Sequence, residues 1–404
     1  MVDPRVVAAD MLDHGRMYYL VDGNLDFIPE VKEFLDWKLA LRRAPATRQA
    51  YCHRLWYLCA FLQRRGTPLL AATPVDLVDF LIWLGNPYRD APGSAPSPVP
   101  RPLEPSTINH ITRAAGGFYK FAVRRGWIAA SPVAYVDVPR GTWLTERDLL
   151  AHTRRGDGAA TVKRSELILA VPAKRPKVVS DADFATFLTS IAMDPAPDRD
   201  PAGFRDRLIA LVLKEGGFRL GELAGMRVDD IEMVRHGGGL HVRFRPDNAS
   251  GARAKAGYGR DRFVHLGADV LGLIDLYLSE VWVRAAPRGH HLWAVVRADA
   301  TDRAGHPTLG TALHGDRIRH MFQHYSRKSG VSITPHMLRH THATALVRSF
   351  LTAGEPVDWK FVQERLGHAS VVTTMETYTH LEDDDRRLSY LAFMDRREGR
   401  RADH

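Results

Sequence analysis

Apolar residues recur at helical spacing through most of this chain, and the period changes to alternation in only two short places, LHVRF at 240–244 and RFVHL at 262–266. Two strands this short cannot support a sheet core of their own, so the pattern predicts a mainly α protein with a small antiparallel sheet. The chain has 404 residues and 45% hydrophobic content, enough for more than one core. Punctuation along the chain divides it. After an N-terminal extension over residues 1–28, PEVKEFLDWKLALRR sets Val31, Phe34, Leu35, Leu39 and Leu41 at mainly helical spacing. Thr47 is the expected N-cap of a second helix, with Tyr51, Leu55, Leu58 and Leu62 as its stripe and Gly66 as its stop. Thr73 and Pro74 open a third helix that faces Leu77, Phe80, Leu81 and Leu84 inward. Residues 87–105 carry seven prolines and read as an exposed loop. A fourth helix, from Ser106 to about Gly126, presents Ile108, Ile111, Ala115, Phe118 and Phe121.

These elements predict a helical bundle over residues 29–138. The polar stretch 139–177, with RRGDG and AKRPK, reads as a basic linker. A second domain, 178–382, begins with a helix capped at Ser180, and the two alternating segments form its hairpin. The end of the chain, 383–404, is a tail that either docks on a neighbouring subunit or stays solvated; LEDDD, SYLAFM and RREGRRADH follow one another there.

Lys and Arg outnumber Asp and Glu by 56 to 47, a net charge of +9 that favours a polyanionic partner, nucleic acid before membrane. Arginine pairs mark helix ends at Arg42 and Arg43, Arg64 and Arg65, and Arg124 and Arg125. Each pair suits either a solvated face or phosphate contacts; their recurrence in one bundle favours phosphate. No run approaches the roughly 20 apolar residues of a membrane span, and MVDPRVVAADMLDHG has no secretory core, so a cytoplasmic location is expected. Cys52 and Cys59 lie seven apart on one predicted helix and read as core thiols.

Four segments combine cations, imidazoles and a phenol: GGFRLGEL at 216–223, ARAKAG at 252–257, TPHMLRH at 334–340 and LGHASVVTTMETYTH at 366–380. In the third, Thr334 is a good N-cap and Pro335 a good first residue, which puts His336 and Arg339 on one face near a helix N-terminus, where a phosphate is favoured. His336 and His340 also have the spacing of a helical zinc pair, but Met337 stands where a zinc peptidase would carry its general-base Glu, and no acidic or thiol set completes a site. No metal or other cofactor is expected. In the fourth segment His368 and Tyr378 lie ten apart; a buried tyrosine is ordinarily core, and a reactive one needs cations around it.

The order of these four segments resembles the tyrosine recombinase (phage integrase) family, including transposon and integrative-element members. The match covers about 178–382, and the N-terminal bundle is similar to the family's SAM-like core-binding domain. The resemblance implies two domains that clamp double-stranded DNA at specific recombination sites, a homotetramer on DNA with accessory proteins, and no membrane partner. It makes Arg219 and Arg339 the phosphate-binding arginines, Glu222 the support of the first, His336 and His368 the pocket histidines, and Tyr378 the nucleophile. Lys255 is the only lysine between Lys214 and Lys328 and so the candidate hairpin lysine, with Arg253 and Arg260 as fallback cations that deprotonate poorly. Attack by Tyr378 would give a 3′-phosphotyrosyl link and expel a 5′-oxygen without metal or ATP. A DNA topoisomerase with the same intermediate, and a catalytically silent DNA-binding regulator, are the competing expectations.

Overall fold

The computed structural model describes residues 3–11, 15–43, 45–86, 103–139, 161–171, 176–191, 196–234, 237–245, 261–302, 305–372, 374–375 and 377–378. They fall in two compact units, one from within Met1–Trp143 and Thr153–Ala173, the other from within Lys174–His404. Helix dominates, and the small sheets are antiparallel. No described helix is long and apolar enough to cross a membrane.

The first unit is built on α1 (Pro29–Ala40), α2 (Pro45–Arg65), α3 (Pro74–Gly85) and α4 (Pro105–Arg124). Their apolar stripes meet in one core in which Phe34 packs edge-on against Tyr51, Phe118 and Phe121. Thr73 caps α3 as expected: its hydroxyl accepts from the Asp76 N–H while the Asp76 carboxylate accepts from the Thr73 N–H. Thr47 does not cap α2. The helix starts two residues earlier, at Pro45, whose fixed φ suits a first helical turn. Cys52 and Cys59 are buried free thiols. The proline-rich loop falls mostly outside the described residues.

Two parts of this unit were not expected. The N-terminal extension forms a hairpin, β1 (Arg5–Met11) with β2 (Gly15–Val21), and Met17, Tyr19 and Leu20 join the helical core. Within the stretch read as linker, β4 (Thr161–Ser165) pairs with β3 (Tyr135–Pro139). Beyond it Leu167 is buried in the same core, and the Asn109 side chain both donates to the Leu169 carbonyl at 2.9 Å and accepts from its N–H at 2.8 Å. Short runs such as RVVAADM lack clear alternation, and single leucines carry no period, so neither segment announces its partner.

The second unit opens with α5 (Asp181–Ile191), capped by Ser180, then α6 (Pro201–Gly216) and the short α7 (Leu220–Ala224). The expected hairpin is present as β6 (Gly239–Val242) and β7 (Arg262–His265), with Leu240 opposite Val264; β5 (Ile231–Glu232) adds a third strand on the far side of β6. Then come α8 (Ala268–Leu276), α9 (Gly315–Ser329), α10 (Pro335–Ala353) and α11 (Trp359–Leu366). Thr334 caps α10 by accepting from the Met337 N–H, with Pro335 first in the helix, as its sequence predicts. The described residues between 371 and 378 are helical.

Replacing Thr73 by Ala is expected to cost about 1 kcal/mol of first-unit stability, and Thr47→Ala less than about 0.5 kcal/mol. Urea unfolding of the two variants checks the difference.

Candidate active site

Two helix C-termini frame the site. α6 stops at Gly217 in the left-handed region (φ 61), and α11 stops at Gly367 in the same region (φ 63). A Cβ on Gly217 would lie 2.5 Å from the His342 ring, so the turn admits only glycine. These stops leave backbone carbonyls facing one another at helix C-termini, where partial negative charge favours cations. Arg339, from the first turns of α10, donates to the Gly217 carbonyl at 2.7 Å and the Leu366 carbonyl at 2.6 Å. Arg219, which precedes α7, donates to the Gly367 carbonyl at 2.8 Å and to Glu222 Oε1 at 2.7 Å. Each guanidinium has five hydrogens, so each keeps donors beyond these bonds.

Glu222 holds this arrangement in register. Its side chain has no exposed surface and accepts from the Arg219 N–H and from both terminal nitrogens of Arg262, at 3.1 and 2.7 Å. Burial alone would raise its carboxyl; the hydrogen bonds and charge of Arg262, then of Arg219, outweigh that and hold it below the usual carboxylate range. Arg262 reaches in from β7 and also donates its Nε–H to the Arg365 carbonyl. Arg339 is almost wholly buried; desolvation and then the Arg219 charge push it down to about 9, which leaves it a cation at neutral pH.

Tyr378 is 1% exposed and packs with Ala343, Val347, Val362 and Leu366. Burial pushes its phenol up to about 12, against the opposing charge of Arg339. Its hydroxyl lies 2.7 Å from His340 Nδ1, and His340 Nε2 lies 3.0 Å from Nε2 of the exposed His336. His368 Nδ1 meets the Thr374 hydroxyl at 2.8 Å. His340 and His368 are both pushed down to about 4, by burial first and then, respectively, by His336 and Arg339 and by Arg339 and Arg219, so both rings are neutral at pH 7. Among the described residues, no group of three or more His, Cys, Asp or Glu is placed to hold a metal.

Of the residues singled out in the sequence, Arg219, Glu222, Arg339, His336, His368 and Tyr378 lie in this second unit, and the contacts above link the first three to the helix ends and His336 to Tyr378 through His340. Lys255, with Arg253 and Arg260, lies outside the described residues. The first-unit arginines divide. Arg64 pairs with Asp3, Arg65 with Asp76 and Asp79, and Arg125 with Glu33. Arg42, Arg43 and Arg124 are exposed, and Arg43 and Arg124 lie close enough to Lys38 to add to the burial that lowers its amine.

Two residues of the site escaped sequence reasoning. In the sequence His340 stands out only as half of a zinc-pair spacing with His336. Arg262 carried a readable signal: it lies two positions from buried Val264 and so shares its strand face, an unusual place for a cation without a buried partner.

A helical bundle followed by an α-rich unit with a three-stranded sheet, two converging arginines and a histidine-held tyrosine defines a class of strand-transfer enzymes. Over residues 189–385 the chain carries a domain of the phage integrase family. It is 26% identical over 384 residues to transposase A from transposon Tn554 of Staphylococcus aureus, covering 95% of both chains. It is 27% identical over 363 residues to tyrosine recombinase XerD of Pseudomonas aeruginosa, covering 87% of this chain and 93% of that one. In fold it is similar to the Tn1549 transposon integrase solved with transposon right end DNA, with a TM-score of 0.55 at 15% identity over 90% of this chain and 99% of that one. It is likewise similar to the XerH recombinase bound to its difH substrate after cleavage, with a TM-score of 0.55 at 18% identity over 90% and 83%.

Glu222→Gln leaves Arg219 and Arg262 without their buried counter-charge and is expected to cost on the order of 3–5 kcal/mol. Because the folded carboxyl lies below its unfolded value, the stabilisation is present above the ordinary carboxylate pKa and fades as pH falls through the folded one. Thermal unfolding of the two proteins should therefore differ most at neutral pH and converge in acid.

Proposed function

We propose that this protein is a site-specific DNA recombinase that moves a transposon or integrative element, cutting and rejoining strands through a phosphotyrosyl intermediate at Tyr378. The observation that carries the residue assignment is the convergence of Arg219 and Arg339 on the carbonyls of Gly217, Leu366 and Gly367, in a unit where Tyr378 is held by a neutral histidine. The names of the relatives, a transposase and a tyrosine recombinase, and the DNA in the solved neighbours support the substrate and the element.

On this reading the scissile phosphate takes its two non-bridging oxygens to the free hydrogens of Arg219 and Arg339. Two guanidiniums fixed beforehand stabilise the charge that builds there without reorganising during the step. The Tyr378 oxygen forms a bond to phosphorus as the bond to the 5′-oxygen breaks, and the leaving oxygen takes a proton, a role assigned to Lys255. A phosphodiester is exchanged for another phosphodiester, so the reverse attack by a 5′-hydroxyl of a second strand needs no energy source. His368, aimed by Thr374, positions the phosphate. Tyr378 is covered in the free protein, so DNA binding must uncover its hydroxyl before attack.

Strand exchange between two duplexes requires four active tyrosines, hence a homotetramer on DNA, assisted by accessory proteins where direction matters. Arg42, Arg43 and Arg124, exposed on the first unit, offer cations for backbone phosphates, and the paired Arg64, Arg65 and Arg125 contribute less. The work is cytoplasmic, on the nucleoid.

A nicked suicide duplex carrying the element's own end tests the reading. The wild type should accumulate a covalent protein–DNA adduct and Tyr378→Phe none, while Arg339→Ala should cleave slower by roughly 10²–10³-fold. An adduct that persists in Tyr378→Phe contradicts the nucleophile assignment.

A further inference from the structure

The tyrosine that must lose a proton does not touch either histidine that the sequence motifs nominate; it touches His340, and His340 in turn touches His336. The three groups form a line from a buried hydroxyl to an exposed ring. Two proton arrangements satisfy both contacts. In the first, the Tyr378 hydroxyl donates to His340 Nδ1, and His340 Nε2–H donates to His336 Nε2. In the second, His340 Nδ1–H donates to the Tyr378 oxygen, and His336 Nε2–H donates to His340 Nε2. They differ only by one proton shifted along each bond, and no heavy atom moves between them.

We infer that His340 is a catalytic residue of this site, which takes the proton of Tyr378 on Nδ1 while passing its Nε2 proton to His336. The inference rests on the recombinase reading above and deepens it. The balance is complete. The O–H bond of Tyr378 breaks as the Nδ1–H bond of His340 forms, the Nε2–H bond of His340 breaks as the Nε2–H bond of His336 forms, and the tyrosine oxygen turns its freed electron pair on phosphorus. His340 ends neutral with its other nitrogen protonated. His336 ends as an imidazolium at the exposed end of the line, where it can hand the proton to water.

The surroundings favour this direction of transfer. Among the described residues, the groups around His340 are His336 and Arg339 on its own helix, Tyr378 from the C-terminal helical segment, and His368 from the turn after α11, near enough to feel the charge of His340. Apart from the phenol that gives up its proton, these are cations or bases. None of these described groups is a carboxylate that would hold a charge on His340, so the middle ring of the line stays neutral and conducts the proton. His336, exposed to water, is the member that can bear the charge. The transfer also places a new positive charge within one helical turn of Arg339 in the step in which the phosphate gains negative charge.

The test separates a proton relay from a purely structural contact. His340→Asn offers an amide oxygen in place of Nδ1 but cannot take the proton, and tyrosine at 378 can be replaced by trifluorotyrosine, whose phenol is far more acidic. On the nicked duplex, with the full chain and DNA binding checked by gel shift, His340→Asn should slow adduct formation by about 10²-fold or more. Trifluorotyrosine at 378 should restore at least tenfold of that loss in His340→Asn, and should restore much less of it in Arg339→Ala. A His340→Asn protein that cleaves at the wild-type rate, or one that binds DNA and is slow yet gains nothing from the acidic phenol, overturns the relay while leaving Tyr378 as nucleophile. If His340→Asn does not bind DNA, the same comparison is made with His336→Asn, where the relay again requires a slowed step and rescue by the acidic phenol, and their absence overturns it. Failure of the wild type to form any adduct overturns the recombinase reading and the relay together.

Discussion

A carboxylate with no exposed side-chain surface stays ionised only where cations replace its water, and Glu222 does so between Arg219 and Arg262. The desolvation of such a group costs several kcal/mol and is offset only by close, well-directed hydrogen bonds. Four of these converge here, two from each arginine. The consequence reaches past the pair itself. Arg219 is turned so that its other terminal nitrogen meets the Gly367 carbonyl, and Arg262 ties β7 to the end of α11 through the Arg365 carbonyl. α7, β7 and the turn that carries His368 are thus fixed to one another by a single buried anion. Because β7 is also the strand that follows the Lys255 segment, the same anion anchors one end of that connection to the arginine pocket.

Around this anchor the charge is deliberately one-sided. Among the described residues, Arg219, Arg262 and Arg339 carry positive charge with Glu222 as their buried counter-ion, and the nearby histidines stay neutral. A neutral imidazole can accept a proton, and a cationic pocket can receive a phosphate; the same electrostatics prepare both. On the phenol, burial and charge oppose one another, since burial raises it while Arg339 lowers it, and burial prevails. The free protein therefore keeps its reactive oxygen protonated and covered, and a bound phosphodiester has to change that balance.

How much of this was legible varies with how local the signal is. Thr334 with Pro335, Thr73 with Asp76 and the alternating pair around Leu240 and Val264 are decided within a few residues, and the structure contains them as their sequences predict. Arg219, Arg339, His368 and Tyr378 were found because their motifs occur in a recognisable order, although spacing alone did not distinguish a reactive tyrosine from a core one. His340 could not be read that way: it matters because Tyr378, far along the chain, lands on its Nδ1, a fact of packing. Arg262 lay between the two cases, since the strand period placed it on the buried face while its partner Glu222 sat 40 residues away. The N-terminal hairpin and the return of Leu167 and Leu169 to the first core were invisible for the same reason, as their contacts are long-range and their own sequences lack periodicity.

The central claim is that Tyr378, held by a neutral histidine beside a pre-formed arginine pocket, carries the DNA covalently. Mass spectrometry of the trapped adduct after proteolysis and nuclease digestion tests this most directly. The account predicts a nucleotide joined through its 3′-phosphate to the peptide containing Tyr378, with a free 5′-hydroxyl on the released strand. A nucleotide on any other residue, or a 5′-phosphate linkage, would contradict it.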